Sequence, residues 1–439
     1  MRAVIMAGGM GTRLASLTKG EIPKSLYPIC GKPMLQWQVE QFKRYGIDCI
    51  TMMIGHLGEQ IREYFGDGSS FGVKIDYIDD EKEPLGTGGP MYYLGKYLEK
   101  TGEKEILLTM GDLFFDFDIN RMLKYHREKE AFVTLLAHPN IHPYDSDLVV
   151  TDTDGRVNAF DSKHNIRNYD YDNCVNAGIY IMSSDICKYV PEPKKMNLEK
   201  DVIAPILETE RVFAYRTPEF IRDAGTADRV RKTEEDILSG RAKAGNLENR
   251  QKAIFLDRDG TINEFRGFIA DKDDFKLMDG VTDAIKLINS SGYLAIVVTN
   301  QPVIARGELT FEELDGIFNK MKTLLGNEGA YVDDIFFCPH HPDKGFPGEV
   351  PELKIECSCR KPNTGMLEAA AEKYNIDLKE SWMVGDMTMD IQCGKNAECH
   401  TCLLKTGKAG TDGKYDAQPD LIKDDLLTFA SDLLLRKEV

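Results

Sequence analysis

An α/β architecture in two parts is what this sequence predicts, and three observations carry that prediction. A short apolar run, Arg2-Ala-Val-Ile-Met6, opens straight into a glycine-rich turn. A second run, Lys252-Ala-Ile-Phe-Leu256, opens into the acidic turn Asp257-Arg-Asp-Gly-Thr-Ile-Asn263. Buried strands of open α/β sheets present polar residues at their carboxyl ends, which is where such sheets keep their chemistry. The chain's 439 residues also exceed what one ordinary core takes up. Residues 228–251, with Glu234-Glu-Asp236 and Ser239-Gly-Arg-Ala-Lys-Ala-Gly245, read as a charged helix and a polar connector. The expected organisation is therefore a first domain over 1–238, a linker over 239–251 and a second domain over 252–439.

Composition narrows the partners. A formal charge of -17 argues against a nucleic-acid groove or an anionic membrane surface, so phosphorylated ligands would need local cationic pockets. The opening residues lack the long apolar stretch and cleavage site of a signal peptide, and no segment approaches a membrane span. Ten dispersed cysteines fit reduced thiols, hence a cytoplasmic location. Oligomeric state is left open, a homo-oligomer included.

In the first part, Ala7-Gly-Gly-Met-Gly-Thr-Arg-Leu14 places Gly8, Gly9 and Gly11 where backbone N–H groups can approach phosphate oxygens, with Thr12 beside them. Arg13 can grip a triphosphate in a fork. Lys24, next to the rigid Pro23, suits a cation held against developing phosphate charge. Taken singly, a glycine turn is only a turn and a lysine only a surface residue.

Together, Gly8-Gly-Met-Gly-Thr-Arg13, Pro23-Lys24 and Gly31-Lys-Pro-Met34 resemble the opening of the sugar nucleotidylyltransferases. The resemblance covers about the first 240 residues. It implies a Rossmann-like mixed sheet and further pieces in order. Glu83-Pro-Leu-Gly-Thr-Gly-Gly89, with Gly86 and Thr87, is similar to the loop that binds the nucleotide base. Asp112 and Asp223 match the aspartates that hold Mg²⁺ in the family. Val175-Asn-Ala-Gly-Ile-Tyr180, with Asn176 and Gly178, is similar to the sugar-contacting strand. Where the family shows Phe-x-Glu-Lys this chain has Phe160-Asp-Ser-Lys163, so Lys163 is kept for the sugar phosphate while Ser162 replaces the glutamate. In the implied reaction a sugar 1-phosphate oxygen attacks the α-phosphorus of a nucleoside triphosphate and pyrophosphate leaves. Such a site must chiefly neutralise charge.

In the second part, Leu294-Ala-Ile-Val-Val-Thr-Asn300 and Trp382-Met-Val-Gly-Asp386 are two more strands with polar ends, and their alternation with helical segments predicts a parallel sheet. Two carboxylates one residue apart, Asp257 and Asp259, can divide labour: one attacks phosphorus, the other handles the leaving group's proton. Thr299 and Asn300 can donate to a phosphoryl group, Lys361 can neutralise it, and Asp257 with Asp386 can hold Mg²⁺. In that order, Asp257, Thr299, Lys361 and Asp386 resemble the signature positions of the haloacid dehalogenase phosphatases, whose parallel α/β sandwich is implied here. The resemblance makes Asp257 the nucleophile that becomes an aspartyl phosphate, and Asp259 the general acid and base. Asp259 also joins the Mg²⁺ set, and Asp390 supports the metal aspartate.

Cys338-Pro-His340 and Cys357-Ser-Cys359 supply four soft or borderline ligands from two short turns, the set that tetrahedral Zn²⁺ prefers. His341 is the poorer ligand, since adjacent residues rarely both bind. With no position left for water, the zinc would be structural. Cys338-Pro-His-His-Pro342 with Cys357-Ser-Cys-Arg-Lys-Pro362 resembles the zinc-clamped heptose bisphosphate phosphatases, with histidinol phosphatases as near relatives. That resemblance adds Arg258, Gln301, Arg306 and Arg360 as substrate contacts. It also marks departures, Pro302-Val303 after Gln301 and Arg266-Gly-Phe268, which bear on anomer or substrate preference.

The two resemblances fit one another. Removing the C7 phosphate of a heptose 1,7-bisphosphate leaves a heptose 1-phosphate, the substrate class of a nucleotidylyltransferase. The implied protein is a bifunctional enzyme acting on heptose bisphosphate, heptose 1-phosphate and GTP, with guanine implied by the family alone. Two rivals stand beside it: a hexose 1-phosphate transferase or a histidinol phosphatase as one half, and a non-catalytic nucleotide-sugar scaffold.

Overall fold

The computed structural model describes residues 1–9, 11, 14–79 and 85–435. The chain divides into two compact units. The first comprises Met1–His138, Asp147–Ser162 and Val175–Asn246, and the second Pro139–Ser146, Lys163–Cys174 and Leu247–Val439.

Among the described residues the first unit carries a nine-stranded sheet and a separate two-stranded ribbon. Its strands are β1 (Arg2–Met6), β2 (Cys49–Ile54), β3 (Lys74–Asp79), β4 (Glu105–Met110), β5 (Leu113–Asp116), β6 (Val133–His138), β7 (Leu148–Thr151), β8 (Val157–Asp161), β9 (Val175–Ser183), β10 (Val212–Arg216) and β11 (Phe220–Asp223). The main path runs β8-β7-β9-β4-β1-β2-β3, while β6 joins β9 to β10. β1 lies parallel to β2 and β4, whereas β9 runs antiparallel to β4 and β6, so the sheet is mixed. Central strands covered on both faces need apolar residues at nearly every position, and Ala3, Val4 and Ile5 are fully buried. The helix Met34–Arg44 lays Leu35, Val39 and Phe42 against the sheet at helical spacing, and Phe42 meets the Phe115 ring at 5.9 Å. Burying a side chain such as Phe42 stabilises by roughly 1.5–3 kcal/mol.

The second unit holds a six-stranded sheet among the described residues, with every pairing parallel. Its strands are β12 (Lys252–Leu256), β13 (Tyr293–Asn300), β14 (Asp334–Cys338), β15 (Trp382–Gly385), β16 (His400–Leu404) and β17 (Leu421–Lys423), in the order β14-β13-β12-β15-β16-β17. The helix Leu426–Leu434 packs Leu426, Phe429 and Ala430 into a core shared with Val281, Ile285 and Ile288 of the helix Val281–Asn289. The helix Phe311–Asn327 starts at a capping box in which Thr310 accepts from Glu313 N and Glu313 accepts from Thr310 N.

The stretch before β12 departs from a plain polar connector. Helices Ala227–Leu238 and Arg241–Ala244 occupy it, and Asn246 is fully buried, donating to Asp116 Oδ1 at 2.7 Å and Tyr45 OH at 3.0 Å. Composition hides this because one amide and small alanines do the anchoring, without an apolar run.

Candidate active sites

In the second unit, parallel register builds the site. Leu256 pairs with Val384, and Asp257 N donates to Val384 O at 2.9 Å, so Asp257 and Asp386 leave adjacent strands at the same edge. Asp390 joins them from the first turn of the helix Thr388–Asn396, and carboxylate oxygens of Asp257, Asp386 and Asp390 all lie within 4.8 Å of one another. Lys361 Nζ sits 2.6 Å from Asp257 Oδ1 and 2.7 Å from Asp390 Oδ1, and is itself buried. Gly260 is required here: it takes φ +92, and a Cβ on it would lie 2.5 Å from Asp386 Oδ2.

The electrostatics show three acids competing for one cation. Burial, offset in part by Lys361 and reinforced by Asp390, Asp386 and Asp259, raises the Asp257 carboxyl well above its ordinary range. Burial likewise pushes Asp386 up to about 7. Asp386 Oδ1 is buried without a hydrogen-bond partner, while Oδ2 accepts from Lys408 N at 2.6 Å. A buried carboxylate oxygen left unpaired among acids fits a site for a hard divalent cation. Lys361 keeps its charge despite burial, because Asp257 and Asp390 outweigh the desolvation.

Asp259 is held apart from that group. Arg258 Nη2 donates to both its oxygens at 2.8 Å, Asn263 Nδ2 at 3.1 Å and Gln301 Nε2 at 3.2 Å. Gln301 also donates to Thr299 Oγ1 at 2.8 Å. Arg258 is fully buried in this role, and Asn300 braces the Lys361 backbone, its Oδ1 accepting from Lys361 N at 3.0 Å. Arg360 Nη1 donates to His340 O at 3.2 Å, and Arg306 follows the short helix Pro302–Ala305.

Beside Lys361 the sulfur and imidazole set converges. Cys338 Sγ lies 3.5 Å from Cys357 Sγ, which lies 3.3 Å from Cys359 Sγ, and His340 Nδ1 lies 3.3 Å from Cys359 Sγ. All four ligand atoms fall within 4.8 Å of one another, a metal-binding arrangement. Hydrogen bonding between the thiols lowers Cys359 to about 5 and drives Cys338 upward, the pattern of sulfurs sharing one negative charge. His341 faces elsewhere, its Nε2 3.3 Å from Arg306 Nη2.

The first unit builds its site by the same logic of register. Met6 pairs with Met110, and Gly111 N donates to Met6 O at 2.9 Å, so Gly8, Gly9 and Asp112 follow neighbouring strand ends. The antiparallel pairing of Asp223 with Leu113, and the 3.0 Å bond from Ala224 N to Asp112 O, set the second acid beside the first. Lys24 forms an ion pair with Asp112, and Arg229 with Asp223. Gly11 has φ +64 and its missing Cβ leaves room for Lys24 Cβ. Gly86 and Thr87 dock on the strand-like segment before Leu198, whose N donates to Thr87 Oγ1 at 2.9 Å. Asn176 Nδ2 donates to Tyr180 OH at 2.8 Å and to Glu199 at 3.3 Å, and Gly178 N donates back to Asn176 Oδ1 at 3.1 Å. Lys163 falls in the second unit, 3.7 Å from Asp145. Thr12, Arg13 and Glu83 lie outside the described residues. Glu199 and Arg229 carried no motif, and only the folded pairing reveals them.

A nucleotidyl transferase family model matches residues 2–240, more than half of the chain, and a HAD-hydrolase-like model matches residues 358–429. The D-glycero-beta-D-manno-heptose-1,7-bisphosphate 7-phosphatase of Yersinia pestis is 44% identical over 160 residues, which is 36% of this chain and 83% of that protein. The chain belongs to both families, one in each half. This nucleotidyl transferase and heptose bisphosphate phosphatase is thus two enzymes in one polypeptide. The phosphatase of Escherichia coli K12 is 42% identical over 36% of the chain and 80% of its own length. Among solved structures, HddC from Yersinia pseudotuberculosis has 26% identity and a TM-score of 0.46, covering 54% of this chain and 99% of HddC. No helix among the described residues is long and apolar enough to cross a membrane.

Proposed function

We propose that the two halves catalyse consecutive steps: removal of the C7 phosphate from D-glycero-D-manno-heptose 1,7-bisphosphate, then transfer of GMP from GTP to the resulting heptose 1-phosphate, giving GDP-heptose and pyrophosphate. The observation that carries this reading is the union of families in one chain, since a sugar 1-phosphate is what the phosphatase family's reaction leaves and what a sugar nucleotidylyltransferase consumes. Domain limits of 1–238 and 252–439, with a linker between, belong to the same proposal.

In the phosphatase half Asp257 attacks the C7 phosphorus and Asp259 delivers a proton to the departing C7 oxygen. Asp259 then takes a proton from the water that hydrolyses the aspartyl phosphate. The Arg258, Asn263 and Gln301 contacts hold Asp259 in place for both transfers. Lys361 keeps Asp257 oriented and offsets phosphoryl charge, with Thr299 and Asn300 beside it. Mg²⁺ at Asp257, Asp386 and Asp390 would neutralise the phosphoryl group. Zn²⁺ fits the Cys338, His340, Cys357 and Cys359 set, because Zn–S bonds of about 2.3 Å in a tetrahedron put sulfurs roughly 3.7 Å apart. Such a clamp would fix the loop that carries Arg360 and Lys361.

In the transferase half Lys24 and Arg13 offset triphosphate charge, Asp112 and Asp223 would hold Mg²⁺, and the Gly8, Gly9 and Gly11 turn approaches the phosphates. Glu83, Gly86 and Thr87 are assigned to the base, Asn176, Gly178 and Lys163 to the sugar phosphate. A cytoplasmic setting goes with these soluble substrates. The test is the purified chain with heptose bisphosphate and each nucleoside triphosphate in turn. Phosphate release followed by GDP-heptose is expected; no phosphate release, or a nucleotide sugar with another base only, would overturn the reading.

A further inference from the structure

Three buried basic side chains of the second unit converge outside the acid cluster, each with a donor atom lacking a hydrogen-bond partner: Arg306 Nε, His341 Nδ1 and Lys354 Nζ. Lys354 is the most telling. Its side chain is 1% exposed, and its nearest acid, Glu349, lies at 3.7 Å, beyond hydrogen-bonding range. That Glu349 oxygen already accepts from Gly345 N at 2.9 Å and Phe346 N at 3.2 Å, so Lys354 is not needed to satisfy it. Both cations stack on one ring, Lys354 Nζ 4.6 Å and the Arg306 guanidinium 4.6 Å from the Phe346 centroid, while Arg306 also covers Phe268 at 4.3 Å. Arg306 Nη2 meets His341 Nε2 at 3.3 Å. The acid facing His341 is Asp343, at 3.7 Å and 76% exposed.

Burying an ammonium without a hydrogen-bonded partner costs several kcal/mol, so a protein of net charge -17 that gathers such groups has a use for an anion there. The place is fixed by the fold. His341 N donates to Leu353 O at 3.1 Å and Val350 N to Ala305 O at 3.0 Å, which folds the 341–354 loop back onto the segment bearing Arg306. That segment begins at Gln301, which holds Asp259 and Thr299. The cluster therefore borders the reaction centre without belonging to it.

We propose that Lys354, with Arg306 and His341, forms the pocket for the phosphate that is not hydrolysed, the anionic group at the far end of a bisphosphorylated sugar. This rests on the phosphatase reading above and deepens it: the pocket makes a second phosphate the mark by which substrate is chosen. Arg306 was already a candidate substrate contact; Lys354 sits in a Pro- and Gly-rich loop with no motif around it.

The experiment compares kcat/KM of the full-length chain for heptose 1,7-bisphosphate and for heptose 7-phosphate. It uses the unsubstituted protein, Lys354→Met, which keeps the stem against Phe346, and Lys354→Arg, which keeps the charge. Charge-assisted hydrogen bonds of this kind correspond to about 10- to 100-fold in affinity. The preference for bisphosphate is expected to fall by about that factor in Lys354→Met, through KM rather than kcat, and to recover in Lys354→Arg. An equal loss on both substrates, or an unchanged preference, would overturn the pocket. If the unsubstituted chain releases phosphate from neither sugar, the phosphatase reading itself falls.

Discussion

The two acid clusters of this chain are built alike and left in opposite states. In the phosphatase half Asp257, Asp386, Asp390 and Lys361 are all buried, with two carboxyls raised by desolvation. In the transferase half Asp112 and Lys24 are 19% and 17% exposed in their side chains, and the acids are matched one to one, Asp112 with Lys24 and Asp223 with Arg229. The difference follows from chemistry. A covalent nucleophile must stand in place before substrate arrives, and burial with a braced lysine achieves that at a cost in stability. Transfer between two bound ligands needs no protein nucleophile, so its charges can rest on each other until phosphates separate them.

The sharpest way to break the comparison is at Asp257. Asp257→Asn is expected to lower phosphate release at least about a thousandfold while leaving GDP-heptose formation from supplied heptose 1-phosphate intact. Residual turnover near the unsubstituted rate would remove the nucleophile assignment. Next in size, Lys24→Met should reduce transferase kcat/KM by about 100- to 1,000-fold without altering phosphate release. A change confined to KM would mean that Lys24 only binds. For the sulfur cluster, Cys357→Ser should eliminate the roughly one equivalent of zinc per chain that a four-ligand site requires, and lower the melting temperature of the phosphatase half. Metal analysis that finds no zinc in the unsubstituted protein would end the clamp.

The smallest expected effect is on pH dependence. A carboxyl with a raised folded pKa binds more protons folded than unfolded, so it costs stability as pH climbs from its unfolded value toward its folded one. With Asp257 raised and Asp386 at about 7, metal-free protein should lose stability between about pH 4 and 7 from this pair. Mg²⁺ binds the ionised acids, so its stabilising effect should be larger at pH 8 than at pH 5. Melting curves with and without Mg²⁺ at both values check this; equal shifts would mean the buried acids are not the metal site.

Much of this was legible in the sequence, for a local reason. Apolar runs ending in polar residues, at Arg2–Met6, Lys252–Leu256 and Trp382–Gly385, are strands in the fold with their acids at the carboxyl edge. The choice of His340 over His341 followed from ligand spacing, and His340 is the one that meets the sulfurs. Strand character and turn chemistry depend on neighbours in sequence, so a single chain displays them.

Other features depend on residues far apart in the chain, and no local pattern carries them. Lys361 bridging Asp257 and Asp390, Asp259 fixed by Gln301, Glu199 beneath Asn176, and Lys354 buried against Phe346 are products of parallel register and loop packing. By itself the sequence determined two α/β halves, the acids and thiols that do the chemistry, and the reaction classes. Tertiary structure alone decided which charges are paired, which are buried and which keep an unmet donor, because desolvation and hydrogen-bond satisfaction exist only once the chain has closed around them.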